Sequence, residues 1–202
     1  GGPRALLQVD GDNAPARRLY ARRGFRDERA WTHWRRDGNI RSRPPAIPGA
    51  AQITRLRRGE WAQEYALAQR LRPPARGGLG WQRPLRREQF RRPLQQRLVD
   101  WLNMRAQERL VIRSADEARL LASLRSEQGL FNGAVRLTLL AAAPQAEHAA
   151  TLLGNAVRRF GARRQTLLLE HPADEEAVSA VLRSLFFRPL REVLHMRLEL
   201  DP

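Results

Sequence analysis

The stretch LLQVDGDNAPARRLYARRGF, residues 6–25, decides how the rest of the chain is read. Ala5 to Val9 is a short apolar run with strand character. Asp10-Gly11-Asp12-Asn13 is turn chemistry, and Asn13 can cap a following helix. Pro15 suits the first helical turn, where its missing N–H removes no bond. Ala16, Leu19 and Tyr20 then share one face, with Arg17, Arg18, Arg22 and Arg23 opposite. Gly24 is placed to end that helix in the left-handed conformation, and Phe25 to Trp34 reads as extended chain.

Moving outward, Asp37-Gly38-Asn39, Pro44-Pro45 and Pro48-Gly49 mark a linker over 37–49, because proline interrupts helix and favours extended chain. Beyond it the pattern predicts a strand at Ile53–Leu56, a helix over 60–71 and a Gly- and Pro-rich loop over 72–84. A helix over 90–102 follows, then a hairpin of Leu110–Ile112 and Leu120–Leu124, and a strand over 134–142. The cleanest helix is 146–160, with Ala149, Leu152, Leu153, Ala156, Val157 and Phe160 on one stripe. A buried strand at 166–170, a helix over 175–186 and a strand over 193–200 complete the chain. Strands in a run that then alternate with helices indicate an α/β fold: a mixed sheet with helices on its faces.

The two ends of the sequence resemble each other. With Phe25 set on Phe187, an offset of 162 (187 − 25), Leu6 and Leu7 fall on Leu168 and Leu169, Ala16 on Val178, and Leu19 on Val181. Strand, turn, helix and strand recur without a gap, which points to an internal duplication.

Composition narrows the chemistry. The chain has no cysteine, so disulfides, thiolate catalysis and cysteine-ligated metal are excluded. Its four histidines, at 33, 148, 171 and 195, show no zinc-type spacing, and no metal is expected. The net charge is +16, carried by 37 arginines without a single lysine. Phosphate-binding surfaces use both cations. Scattered arginines in an Ala- and Pro-rich chain fit compositional bias better, so nucleic acid is disfavoured as a partner. With no apolar run near ~18 residues and no leader, no membrane is expected and the chain is read as cytoplasmic. Gly1-Gly2 in place of an initiator Met suggests a fragment.

Residues 6–25 resemble the late motif of the GNAT N-acetyltransferases: a strand, an Asn, then a helix reading A-x-x-L-Y-x-x-x-G-F. Those positions are Asn13, Ala16, Leu19, Tyr20, Gly24 and Phe25. The resemblance implies a GNAT-like acyl-CoA N-acyltransferase fold in tandem. Residues 1–36 would be the C-terminal part of a first domain, 37–49 the linker, and 50–202 a second, degenerate copy. It implies acetyl-CoA as cosubstrate and an amine, on a small molecule or a peptide terminus, as acceptor. Tyr20 would be the general acid that protonates the departing thiolate. Asn13 would hydrogen-bond the pantetheine arm, and Ala16 would leave room for it.

The second copy departs from the pattern. Its pyrophosphate loop should lie at Pro144-Gln145-Ala146-Glu147-His148-Ala149, which holds no glycine and places Glu147 where a diphosphate would sit. Leu182 stands where the repeat puts Tyr20. The second copy is therefore expected to be non-catalytic, and the alternative is a binding or interaction module that keeps only the fold. Glu127 and Glu170 near strand ends are candidate bases. Trp31 and Trp34 could stack bases, although packing is their commoner use. The strands of residues 1–36 are expected to pair with the second sheet, to pair with another copy, or to be poorly ordered.

Overall fold

A computed structural model describes residues 4–42, 44, 51–80, 85–91, 106–129, 133–142 and 146–200. The elements in chain order are β1 (Arg4–Asp10), α1 (Ala14–Arg22), β2 (Arg26–Arg36), β3 (Ile53–Arg55), α2 (Trp61–Leu71), β4 (Ala106–Arg113), β5 (Leu120–Gln128), β6 (Ala134–Ala141), α3 (Ala146–Gly161), β7 (Thr166–Pro172), α4 (Glu176–Ser184) and β8 (Arg188–Glu199). All eight strands form one mixed sheet, ordered β1-β8-β2-β7-β6-β5-β4-β3. Only β6 and β7 are parallel; every other pair is antiparallel. The strands of the first 36 residues are thus absorbed into the main sheet, and β2 lies between β7 and β8.

Apolar periodicity explains the layers. The α3 stripe buries Ala149, Leu152, Leu153, Ala156 and Val157, with Val178 and Leu182 of α4, on Val135, Leu137, Leu167, Leu169 and Trp34. On the other face Leu67 and Ala68 of α2 pack on Val111, Leu120 and Leu140. A third, smaller cluster seats Ala16 and Tyr20 of α1 on Val9, Leu194 and Met196. Burial of each large aliphatic side chain contributes roughly 1.5–3 kcal/mol, so the α3 layer dominates stability.

Three sequence expectations need adjusting. The strand expected over 193–200 begins earlier, at Arg188. Its first five residues are exposed, so they carry no alternation that a sequence could show, and pairing with β2 makes them a strand. The hairpin strands are longer than expected for the same reason, because β4 and β5 pair out to Ala106 and Gln128. The expected 90–102 helix falls almost wholly outside the described residues. Its two described residues, Phe90 and Arg91, follow a short 3₁₀ turn over Arg87–Gln89 and are not helical.

The 162-residue offset recurs in the element boundaries. β1 and β7 start at Arg4 and Thr166, and α1 and α4 at Ala14 and Glu176. β2 and β8 start at Arg26 and Arg188, so each difference (166 − 4, 176 − 14, 188 − 26) is 162. Exchanging equivalent strands turns β1-β8-β2-β7 into its own reverse, which is what a two-fold axis does. The register obeys the same exchange. Asp10 pairs with Val193 as Pro172 pairs with Trp31, and Leu6 with Arg197 as Leu168 with Arg35. The bulges obey it too: Glu28 is skipped on β2 and Leu190, its equivalent, on β8. Trp31 pairs with Val193, its own equivalent, and marks the axis.

Candidate functional site

Each half of the symmetric four-strand set β1-β8-β2-β7 has a strand, a turn and a helix start where the motif residues lie. In the first half Asn13 is the N-cap of α1, and its Oδ1 accepts from the Ala16 N–H at 3.1 Å. Pro15 occupies the first turn, as its fixed φ favours. Tyr20 is half-buried and meets Phe25 edge-on, ring centroids 5.8 Å apart. Gly24 ends the helix at φ 88°. Asn13, Ala16 and Tyr20 therefore sit on one nine-residue helix and its cap. α1 buries no residue fully, Leu6 and Leu19 are largely exposed, and β1 is an edge strand.

The second half shows its equivalents in full. β6 and β7 pair from Ala134–Thr166 to Leu137–Leu169 and then part, although β6 runs to Ala141 and β7 to Pro172. The α4 start lies at this splay, and Glu175 stands at its N-cap, equivalent to Asn13. Its carboxylate receives both Arg72 nitrogens, NH2 at 2.9 Å, together with Arg29 NH2 at 3.0 Å. His171 Nε2 lies 2.9 Å from its other oxygen. Burial opposes ionisation of Glu175, yet the close approach of His171 and the Arg72 charge prevail and hold its pKa down at about 2. Burial likewise pushes the fully enclosed His171 below its ordinary value, against the pull of Glu175. Arg29 also grips Asp174 Oδ1 at 2.7 Å. Leu182, equivalent to Tyr20, is completely buried. Beside the cluster Gly80, at φ 63°, comes so close that an added Cβ would lie 3.0 Å from Glu170 Oε1 and from the Trp31 ring. The splay of the second half is thus packed with the chain's own side chains and backbone.

The remaining candidates divide. Trp31 and Trp34 are each 2% exposed, so neither can stack a base. Glu127 accepts from Gln107 Nε2 at 2.7 Å on the β4–β5 hairpin, away from the splay. Glu170 reaches the splay, with a nearly enclosed side chain 3.9 Å from His33 Nε2. His195 is buried and accepts from Gln8 Nε2 at 2.7 Å. Of the anticipated phosphate loop, Pro144 and Gln145 lie outside the described residues; α3 begins at Ala146, with Glu147 exposed. Sequence reading missed the Arg72–Glu175–His171–Arg29 cluster. Its members come from three separate places in the chain, and only the i, i+4 spacing of His171 and Glu175 was visible beforehand. Among the described residues no group of three or more metal-ligating side chains converges, and no helix is long and apolar enough to cross a membrane.

No family model matches the sequence, and no curated protein matches it. Solved structures do. A GCN5-related N-acetyltransferase from Sphaerobacter thermophilus superposes with a TM-score of 0.64 at 14% identity, over all of this chain and 61% of that one. An acetyltransferase of the GNAT family from Novosphingobium aromaticivorans gives 0.57 at 16% identity, over 99% and 76%. A tandem GNAT protein from the clavulanic acid biosynthesis pathway gives 0.56 at 15%, over 98% and 64%. The chain spans less than two thirds of the first and third of these proteins. With its mixed sheet parting between β6 and β7 and helices on both faces, the chain has the fold of the GNAT N-acetyltransferases.

Proposed function

We propose that this chain belongs to a tandem N-acetyltransferase that moves an acetyl group from acetyl-CoA to an amine. In this reading residues 1–36 complete a catalytic first unit, 37–49 link the units, and 50–202 form a second unit that no longer catalyses. The observation that carries it is the contrast at equivalent positions. Asn13, Ala16 and Tyr20 of the first unit become Glu175, Val178 and Leu182 of the second, where the carboxylate is locked by Arg72 and Arg29 and the leucine is sealed in the core. A leucine has no proton to give, and a buried anion at the cap disfavours an anionic cosubstrate there.

In the first unit the small Ala16 side chain leaves the start of α1 open to a pantetheine arm. The Asn13 amide keeps its N–H donors free while its oxygen caps the helix. Tyr20 supplies the proton to the sulfur as the carbon–sulfur bond breaks, after the neutral amine has attacked the thioester carbonyl. The amine loses its own proton in the same overall transfer. Tyr20→Phe in the full-length protein is expected to lower kcat by roughly 10²–10⁴ with little change in KM, measured by acetyl transfer from acetyl-CoA to an amine panel. Turnover unchanged across the pH range would remove Tyr20 from the chemistry.

A second reading, a binding module that keeps the fold alone, draws on the packing of Tyr20 against Phe25 and on the cap role of Asn13. Calorimetry with acetyl-CoA on the full-length protein separates the two, because this reading expects no heat of binding.

A further inference from the structure

A cavity of about 1060 Å³ lies at the end of the sheet opposite the splay. Gln128 of β5, which lines it, stands beside Val135 at the start of β6, and the splay opens beyond Leu137 at the other end. A short strand creates the space. β3 pairs with β4 only over Ile53–Arg55, and the Leu56 N–H adds a last bond to the Arg109 carbonyl at 3.0 Å. β4 runs back to Ala106 along β5, and among the described residues no strand covers its other side there. Gln107, two residues from Arg109, turns its N–H and C=O the same way and lines the cavity. Trp61 and Phe90 wall it on the α2 face of the sheet, and Phe160 in the last turn of α3 walls it on the other.

Its charge is one-sided. Seven of the sixteen lining residues are arginine, against 37 in 202 residues overall, so even scatter of an Arg-rich composition does not account for them. Four are held by carboxylates: Arg55 and Arg159 by Glu108, Arg57 by Glu117, and Arg109 by Glu64. Glu108 is the one acid in the lining, and two of these arginines neutralise it. Among the described residues the exposed side chains of Arg58, Arg91 and Arg163 have neither an ion pair nor a hydrogen bond. They come from three segments: the turn before α2, the chain after Phe90 and the turn after α3. Folding therefore brings three uncommitted cations to the rim of one aromatic-walled cavity.

That chemistry selects the guest. Three guanidinium groups without counter-ions suit a ligand with several negative charges, and arginine takes phosphate oxygens in pairs. The aromatic walls suit a flat ring, which stacks on such side chains. The Gln107 backbone with the Ser126 and Gln128 side chains offers donors and acceptors to the edge of that ring. The volume stands at the upper end of small-ligand pockets, roughly 1,000 Å³. A fatty acid would use one arginine and leave two. An acidic peptide added as a strand would need a longer open edge than the one outward-facing residue Gln107 supplies.

We propose that this cavity binds a nucleoside triphosphate, its base against Trp61 and its phosphates on Arg58, Arg91 and Arg163. The ligand is bound unaltered. β3 and β1 are opposite edges of the sheet, so the site lies apart from Asn13, Ala16 and Tyr20 and stands or falls separately from the acyl-transfer reading. Calorimetry on the full chain with ATP and GTP tests it, with inorganic triphosphate and adenosine as half-ligands and acetyl-CoA as competitor. ATP or GTP should bind one to one, about 10-fold tighter than inorganic triphosphate, and excess acetyl-CoA should not displace it. Trp61→Leu should bring the nucleotide down to the affinity of triphosphate. Arg58→Gln and Arg163→Gln, at exposed positions, should each weaken both about 10-fold, whereas Arg22→Gln on α1 should change neither. The proposal is overturned if neither nucleotide binds, or if nucleotide and triphosphate bind alike, which is an adventitious polyanion on a basic chain. It is equally overturned if Arg22→Gln costs as much as Arg58→Gln, or if acetyl-CoA displaces the nucleotide.

Discussion

Glu175 concentrates the electrostatics of the second half into one carboxylate. Because its folded pKa lies below the unfolded value, its stabilisation is complete above pH ~4.5 and is lost as pH falls towards about 2. His171 acts earlier. Its folded pKa is also depressed, so the unfolded chain takes up the proton first and stability declines as pH drops below 6.5. Thermal denaturation against pH should show these two successive declines, and His171→Gln should shrink the first. Glu175→Gln strands Arg72, which is enclosed beside it, and should cost about 3–5 kcal/mol at pH 7, read from urea denaturation. A loss under 1 kcal/mol would mean that Arg72 finds water or another anion.

Helices α1 and α4 are each finished by a strand from the other end of the chain. Arg36 of β2 is 1% exposed, and its Nε donates to the Leu185 carbonyl that ends α4 at 2.9 Å. Its NH2 reaches the carbonyls of Ile40 and Ser42 at 3.2 and 2.8 Å, tying the start of the linker to the same place. At the equivalent end of α1 the Leu198 side chain of β8 lies 3.2 Å from where a Gly24 Cβ would be. Arg36→Met should destabilise by about 1–3 kcal/mol, since it leaves the Leu185 carbonyl unpaired in a buried place. Arg35→Met, at a half-exposed ion pair with Asp37, should cost under about 1 kcal/mol. Equal losses at the two sites, measured by denaturant titration, would deny Arg36 its capping role.

The exchange of strands makes the sheet one cooperative object. β8 is flanked by β1 and β2, and β7 takes β2 as its antiparallel neighbour. A chain cut to residues 51–202 would lose both partners of β8 and bare the Trp34 face of the α3–α4 core. It should lack a cooperative thermal transition, and a peptide of residues 1–42 added in trans should restore one. A sharp transition in the truncated chain alone would show that the second unit is self-sufficient.

Local order was legible where chemistry is local. Asn13 and Gly24 punctuate α1, the α3 stripe repeats every three to four residues, and a 162-residue echo joins the two ends. From these the α/β class and the bounds of the strand, turn and helix that carry Asn13, Ala16 and Tyr20 could be read. The exposed first half of β8 could not, because residues wet on both sides have no alternation to betray them. Nor could the locked Glu175, whose partners Arg72 and Arg29 lie 103 and 146 residues away in the chain. Side-chain type and spacing describe what each segment can do alone. Which charges are enclosed together depends on how strands from both ends interleave, and hydrophobic burial of the whole sheet settles that.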